Sequence, residues 1–251
     1  VIGQGYHPKA GQPHAEIFAL ADAKAQGFDT KGATAYVTLE PCSHTGCTPP
    51  CADALIAADL RRVVVASLDP NPKVAGNGIK KLQNAGIEVL VGVCDQQAAA
   101  LNLGFLKAMR TGLPYVRLKT ASSLDGRTAM ASGESKWITG IEAREDVQRL
   151  RAKSAAIVTG SGTIIADNPA LTVRSKQLGV DLHMLPKPKV VIVDRRNRLS
   201  DLDDYQVLNR DDTLIWRNDL MSLLKTLVSQ YACYDVLIEA GSELSGAFIT
   251  E

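Results

Sequence analysis

The sequence predicts an α/β protein of two domains, and three observations carry that prediction. Short β-branched runs alternate with stretches of helical periodicity along the chain, Thr111-Gly112-Leu113-Pro114 interrupts the alternation near its middle, and 251 residues exceed an ordinary single domain. Strands alternating with helices imply βαβ crossovers and a layered sandwich. In open sheets of this kind chemistry collects at the C-terminal ends of the strands.

Taken in order, Val1 and Ile2 read as the end of a strand and residues 3–13 as a polar loop. His14 opens an Ala-rich helical stretch that stops near Gly27, a residue suited to a C-cap. Residues 33–39 (ATAYVTL) alternate like a strand and deliver Glu40-Pro41-Cys42 to its C-terminal end. A helix follows over 52–58, a buried strand over 62–67 (RVVVAS), a short helix over 78–85 closed by Gly86, and a strand over 87–93. Residues 95–110 keep apolar side chains at helical spacing, and the break after them places the domain boundary between Gly112 and Leu113.

The second half restarts with a strand over 115–120 and a turn at Ser123-Leu124-Asp125-Gly126. Thr139 and Glu142 have the spacing of a capping box for a helix whose charged face runs from Arg144 to Lys153. Strands follow over 155–160, 189–194 (KVVIVD) and 235–239 (DVLIE), with a helix over 220–230 before the last of them. That strand feeds Ala240-Gly241-Ser242 and an apolar helical start over 244–249, a turn able to set backbone N–H groups against a phosphate. The chain opens at Val1 without an initiator Met and stops at Glu251 inside a helical pattern, so it is expected to continue at both ends.

With 28 basic against 27 acidic residues the net charge is +1, which creates no long-range field for nucleic acid or an anionic membrane. No run approaches the roughly 18–20 apolar residues of a membrane span, and no signal peptide is recognisable. Small-molecule substrates and a cytoplasmic location are the expectation, with a homo-oligomer open. Three of the five cysteines lie between positions 42 and 51, which suits metal binding in a reducing compartment; Cys94 and Cys233 read as buried thiols.

His14, Cys42 and Cys51 offer one nitrogen and two sulfurs, the three-ligand set of a catalytic zinc that keeps a fourth position for water. Glu16, two residues past the histidine, is placed as the general acid/base. His-x-Glu followed by Pro-Cys is the pattern of zinc deaminases acting on nucleobases. The alternative is a closed structural knot of Cys42, Cys47 and Cys51 with either His14 or His44.

The runs HAE at 14–16, TLEPCSHTGCTPPC at 38–51 and DPNPKVAGNG at 69–78 resemble the deaminase half of the RibD family of bifunctional riboflavin-biosynthesis enzymes. KTASSLDGRTAMASGESKWIT at 119–139, ADNPALTVR at 166–174 and EAGSELSGA at 239–247 resemble its reductase half. The resemblance implies a cytidine-deaminase-like three-layer zinc domain over 1–112 and a dihydrofolate-reductase-like domain over 113–251, the latter without a GxGxxG motif. It implies deamination of 2,5-diamino-6-(5-phosphoribosylamino)pyrimidin-4-one and then NADPH-dependent reduction of the ribosyl group to ribityl. It also implies a helix and strand before Val1 and further strands after Glu251.

By the same resemblance one zinc per chain falls on His14, Cys42 and Cys51, with Glu16 as proton shuttle. Asn71 and His44 would line the pyrimidine pocket, with His7 either near it or in solvent. Cofactor contacts fall on Ala121, Trp137, Thr163, Asp167 and the loop Gly241, Ser242, Glu243, Leu244, Ser245, Gly246 and Ala247. Substrate contacts fall on Ser135, Arg151, Leu171, Arg174 and Glu239, the two arginines and the serine suiting a ribose phosphate. Core packing is the ordinary alternative for Trp137, and a solvated helix face for Arg151. Lys119 and Asp125 lie in the stretch facing nicotinamide and ribose and receive no role. Two departures stand out: Cys47 occupies a position where the family usually has a base for the substrate phosphate, so that either substrate binding is weakened or a neighbouring base such as Lys73 or Lys9 replaces it, and Arg195 follows Asp194 where the family often has Ser, either as a cation for the adenosine 2'-phosphate or as a surface charge. Remaining alternatives are a deaminase whose second domain is inactive and a scaffold with structural zinc.

Overall fold

β-branched runs become strands throughout the computed structural model, which describes residues 1–8, 11–45, 49–71, 74–135, 138–199 and 204–250. Its internal contacts separate two units, Val1–Arg110 and Thr111–Glu251.

In the first unit the chain runs α1 (Ala15–Ala25), β1 (Thr34–Leu39), α2 (Cys51–Ala57), β2 (Arg62–Ser67), α3 (Asn77–Asn84), β3 (Glu88–Val91), α4 (Asp95–Leu101) and α5 (Leu103–Thr111). The strands form a parallel sheet in the order β1-β2-β3. A central parallel strand is buried on both faces and must be apolar at consecutive positions; β2 is, with Val63, Val64 and Val65 all buried. Val63 and Val65 meet Ala52 and Leu55 of α2 and Ile79 and Leu82 of α3. Val64 points to the opposite face, and α4 packs against the strand. The sheet is thus the middle of three layers, and each Val or Leu so buried stabilises by about 1.5–3 kcal/mol.

The second unit contains β4 (Tyr115–Lys119), α6 (Ile141–Ala152), β5 (Ala156–Gly160), α7 (Ser161–Asp167), β6 (Lys189–Val193), β7 (Thr213–Trp216), α8 (Leu220–Ser229), β8 (Asp235–Glu239) and α9 (Ser242–Thr250). Its five strands are parallel in the order β4-β8-β5-β6-β7. One face of β5 and β6 packs on Leu220, Leu223 and Leu227 of α8, and the other on Ile164, Leu171, Leu199 and Val207. All strand C-termini point the same way, so Lys119, Gly160, Val193, Trp216 and Glu239 end along one edge.

Several expectations are corrected. Residues 1–8 form no strand; Gly3 and Gly5 instead lie so close on α1 that an added Cβ would sit 2.3 Å from the carbonyl oxygens of Ala19 and Ala15. The helix expected over 95–110 is two, broken at Asn102, whose φ of −127° leaves the helical range. No capping box forms at α6: Gly140 is the N-cap, so Thr139 lies one residue too early to reach the first free amides, and its carbonyl accepts from Arg144 Nη1. Cys94 is exposed, at the N-cap of α4 with φ of 59°, whereas Cys233 is buried as expected. Helix α7 and strand β7 escape the sequence reading because one starts without a turn signal after β5 and the other has four residues. Among the described residues no helix is long and apolar enough to cross a membrane.

Candidate active sites

In the first unit three elements bring their ends together. His14 precedes α1 in extended conformation (φ −74°, ψ 168°) and its ring makes no capping bond, which leaves the imidazole to face the sulfurs. Cys42 follows β1 by three residues, and Cys51 is the first residue of α2. Cys42 Sγ lies 3.6 Å and Cys51 Sγ 3.3 Å from His14 Nδ1, and the Cys51 amide donates to Cys42 Sγ at 3.3 Å. Ligand atoms of the three residues all lie within 4.8 Å of one another, and among the described residues no other such group of His, Cys, Asp and Glu forms. A nitrogen and two sulfurs at this spacing fit zinc, and as a set of three they fall one short of the four that close a structural site. His44, a candidate fourth ligand of a closed knot, is exposed and outside the cluster, while Cys47, Lys9 and Lys73 lie outside the described residues.

The electrostatics follow the crowding. A hydrogen bond from Cys51 is the largest of the influences that lower the Cys42 thiol to about 5, and the same contact raises the Cys51 thiol. One sulfur therefore holds negative charge readily, as a metal ligand must. Glu16, in the first turn of α1, has its carboxyl raised above the ordinary range by burial, against the lowering influence of its own amide and of His14. His7 is exposed yet stands edge-on to His14, with ring centroids 5.2 Å apart, and its Nδ1 donates to Pro13 O at 3.0 Å. His7 thus faces solvent beside a metal-donor histidine.

Two acidic residues passed over in the sequence shape this site. Glu40, 4% exposed, accepts four backbone N–H groups, from Asp69 and Gly76 on Oε2 and from Gly78 and Ile79 on Oε1. Asp69 is buried, which raises its carboxyl; it accepts the Asn71 amide at 2.8 Å and feels the charges of His44 and Cys42. Asp69 thus links the backbone of Asn71 to the charges of His44 and Cys42. Gly76 and Gly78 in a stretch following a strand were the available signal for a buried anion, because such backbone N–H groups need an acceptor.

In the second unit Arg151, 8% exposed, forms a two-pronged pair with Glu239 at 2.6 and 2.9 Å and donates to Thr172 O at 3.0 Å. That corrects the solvated-face reading, because the guanidinium is buried and engaged. Lys119 is the register partner of Glu239 on the neighbouring strand. Helix α6 holds the segment 172–175 from one side: Gln148 accepts the Arg174 amide at 2.9 Å and Glu145 accepts the Ser175 hydroxyl. From the other side Arg210 donates to the carbonyls of Ala170 and Leu171. Leu171, 3% exposed, is held there at φ +47°, a conformation a leucine adopts only where its surroundings impose it. The Arg174 side chain and Ser135 are exposed.

Residues 242–250 are helix α9 and not a loop, which divides the expected cofactor contacts. Leu244 and Ala247 pack into the core beside α8, and buried Ser245 bonds to Ala240 O and Gly241 O. Gly241, Ser242, Glu243 and Gly246 face outward, and an added Cβ on either glycine would meet nothing within 4 Å. That bare surface at a helix start, beside the strand ends, fits a phosphate-bearing cofactor. Ala121 and Thr163 are half-buried, Asp167 ends α7 at the surface, and Trp137 lies outside the described residues. Asp125 is exposed and paired with Arg127 at 3.2 Å and with the Ser123 hydroxyl. Arg196 pairs with Glu243 at 2.8 Å, tying the turn after β6 to α9, while Arg195 acts on Asp219.

Comparison with known proteins covers both units. Residues 1–67 match the cytidine and deoxycytidylate deaminase zinc-binding region, and residues 114–251 match the RibD C-terminal domain. The riboflavin biosynthesis protein RibD of Escherichia coli K12 is 47% identical across 99% of this chain and 74% of its own length. That of Haemophilus influenzae is 56% identical across 80% of this chain and 55% of its own length. Among solved structures, Acinetobacter baumannii RibD (form 2) matches with a TM-score of 0.92 at 55% identity, over 99% of this chain and 73% of that one. A Thermotoga maritima diaminohydroxyphosphoribosylaminopyrimidine deaminase/5-amino-6-(5-phosphoribosylamino)uracil reductase matches at 0.88 and 35% identity, over 100% of this chain and 74% of that one.

Proposed function

The chain belongs to the RibD family of riboflavin-biosynthesis enzymes, with a deaminase and a reductase domain, and we propose that residues 1–112 deaminate and residues 113–251 reduce one pyrimidine ribosyl phosphate in turn. The substrate is 2,5-diamino-6-(5-phosphoribosylamino)pyrimidin-4-one, in keeping with the activity named for the Thermotoga relative. The observation that carries the reading is the convergence of His14, Cys42 and Cys51, with a half-buried Glu16 two residues past the histidine in the first turn of α1.

His14, Cys42 and Cys51 would hold one zinc per chain, which when bound supplies the Lewis acidity that makes water a nucleophile at neutral pH. Glu16 would hold the proton given up by the attacking water on its carboxylate and pass it to the amino nitrogen that departs as ammonia. Burial raises its carboxyl toward the pH at which it must both accept and give. Asp69 and Asn71, with His44, face the ring and orient it.

In the second unit NADPH would lie on the bare start of α9, at Gly241, Ser242, Glu243 and Gly246, with Ala121, Thr163 and Asp167 as further contacts, and Trp137 joins them on the resemblance alone; when bound it would supply the hydride for the opened sugar. Arg195 reads the 2'-phosphate, a role that an unchanged NADPH/NADH preference in Arg195→Ala would dispose of. Arg174 and Ser135 meet the ribose phosphate. Leu171, Arg151 and Glu239 form the substrate's rigid floor, Arg151 acting through its pair and not as a free cation. A reducing, cytoplasmic setting suits the free thiols.

The test follows ammonia release and NADPH oxidation together on the diaminopyrimidine, with Glu16→Ala as control. The reading requires ammonia first, and a control that stops both signals until the deaminated intermediate is supplied. Metal bound without either signal would dismiss it.

A further inference from the structure

We infer that Glu40 is a positioning residue for the deaminase site: one buried carboxylate fixes the strand end carrying Cys42 against the loop carrying Asp69 and Asn71. The inference rests on the deaminase reading above and adds a residue to it. Glu40 stands two positions before Cys42, yet its bonds run to residues 29 to 39 positions further along the chain. Its two oxygens divide the work. Oε1 accepts the amides of Gly78 and Ile79 in the first turn of α3, and Oε2 accepts those of Asp69 and Gly76, which bracket the loop.

A second, independent feature marks the same joint. Gly78 lies so close to the strand end that an added Cβ would sit 1.9 Å from Pro41 O and 3.2 Å from Glu40 Oε1. Helix start and ligand strand are therefore in backbone contact as well as bonded through the carboxylate. The metal donors are held from one side by α1 and α2, and Cys42 is held from the other by this joint. Because Asp69 is bonded to Glu40 through its amide and also feels Cys42, a shift at the joint moves ligand and ring contacts together.

The chemistry requires a carboxylate here. A carboxamide of the same shape offers one acceptor oxygen and turns an NH2 toward amides that are themselves donors. Glu40→Gln therefore unpairs half the joint with little change in volume. Gly78→Ala pushes Pro41 away from α3 and crowds Glu40 Oε1 while leaving the carboxylate's charge and both acceptor oxygens in place. Lys81→Ala, on the exposed side of the same helix where Lys81 pairs with Asp53 at 2.5 Å, serves as control.

Each variant of the full chain is titrated with Co2+, its visible spectrum is recorded per bound ion, and KM and kcat are measured for ammonia release. NADPH oxidation on the deaminated intermediate reports the second unit of the same molecule. Glu40→Gln and Gly78→Ala are both expected to weaken Co2+ binding by about 10- to 100-fold, the range of outer-shell partners of metal ligands. Both should also alter the spectrum per ion and raise KM for the pyrimidine, while reduction is unchanged and Lys81→Ala matches the parent. If instead the spectrum per ion and KM stay as in the parent, and only the quantity of metal-loaded protein falls, Glu40 supports the fold alone and the inference is overturned. Should Glu40→Gln fail to fold, Gly78→Ala decides by the same two readings. A parent chain that neither binds Co2+ nor releases ammonia overturns the deaminase reading itself, and the positioning role with it.

Discussion

The two candidate sites differ in how much of their geometry stands complete in the chain alone. Around His14, Cys42 and Cys51 the donors already lie within 4.8 Å of one another, with a buried carboxylate joint behind Cys42. In the second unit the fixed parts are the Arg151–Glu239 pair and the clamped segment 170–175, while Ser135, Arg174, Gly241, Ser242 and Glu243 face solvent. A small ion tolerates little error in donor placement, so its site must be built by rigid elements. A dinucleotide spreads its binding over a large surface, and a helix start with bare glycines suffices for part of it.

The sharpest way to break this comparison is Glu16→Gln. Losing a positioned general acid/base should lower the rate of ammonia release by roughly 10²–10⁴-fold. Zinc content, read by atomic absorption, and NADPH oxidation on the deaminated intermediate should not change. A parallel loss in both reactions would show that the two sites are not separable as described. Next in size is Arg151→Met, which strands Glu239 as an unpaired buried charge and should destabilise the second unit by about 3–5 kcal/mol. The double variant Arg151→Met/Glu239→Leu should recover most of that. Both tryptophans, Trp137 and Trp216, lie in the second half of the chain, so their fluorescence during urea unfolding reports this unit alone. A double variant no more stable than the single one would show that Glu239 is not the cause.

The contrast also explains what was legible in the sequence. Zinc chemistry demands particular side chains, so His14, Glu16, Cys42 and Cys51 announce themselves by type and spacing. The strands were legible for a similar reason: RVVVAS and KVVIV are apolar at nearly every position because both faces of a central parallel strand are buried. What escaped depends on contacts distant in sequence. Glu40 reads as a polar residue at a strand end until Gly76 and Gly78 are brought to it, and Arg151 reads as one charge on a charged helix until Glu239, 88 positions away, is folded against it. At α9 the residues indicated only a glycine turn and a helix start able to meet a phosphate, and the individual cofactor contacts came from the resemblance, because backbone N–H groups carry no residue-type signal beyond the glycine itself. Even there the resemblance described a loop, and the fold turns Leu244 and Ala247 inward.

A smaller effect tests the bare surface. Gly246 sits in the second turn of α9 with open space where a Cβ would be, so Gly246→Leu should leave the fold intact or slightly firmer. If a cofactor lies there, the added side chain should weaken NADPH binding by roughly 1–3 kcal/mol, the usual cost of overpacking. Titration of NADPH fluorescence measures it, and unchanged affinity would move the cofactor elsewhere.

The smallest effect separates two buried carboxylates that look alike. Glu40 joins distant segments, whereas Asp194 closes its own turn by accepting the amides of Arg198 and Leu199 at 3.0 and 3.1 Å. Burial raises the Asp194 carboxyl, but those two bonds, with Ser161 and the charge of Arg217, outweigh it and leave it below the ordinary range. A group lowered in the folded state contributes stability above its unfolded value, near 3.9, and loses it as pH falls through the folded one. Asp194→Asn keeps one acceptor and forfeits the other, so at neutral pH it should cost about 0.5–1.5 kcal/mol, the worth of one hydrogen bond. The gap between parent and variant should be full above about pH 5 and close below about pH 4, as the parent's carboxylate takes up its proton. Urea unfolding by tryptophan fluorescence at a series of pH values follows that gap. Because Asp194 organises only the turn that carries Arg195 and Asn keeps one of its two acceptors, NADPH oxidation by the folded variant should persist with at most a raised KM for NADPH, and a loss comparable to that of Glu40→Gln in ammonia release would mean that the second site, too, is held by a single buried anion.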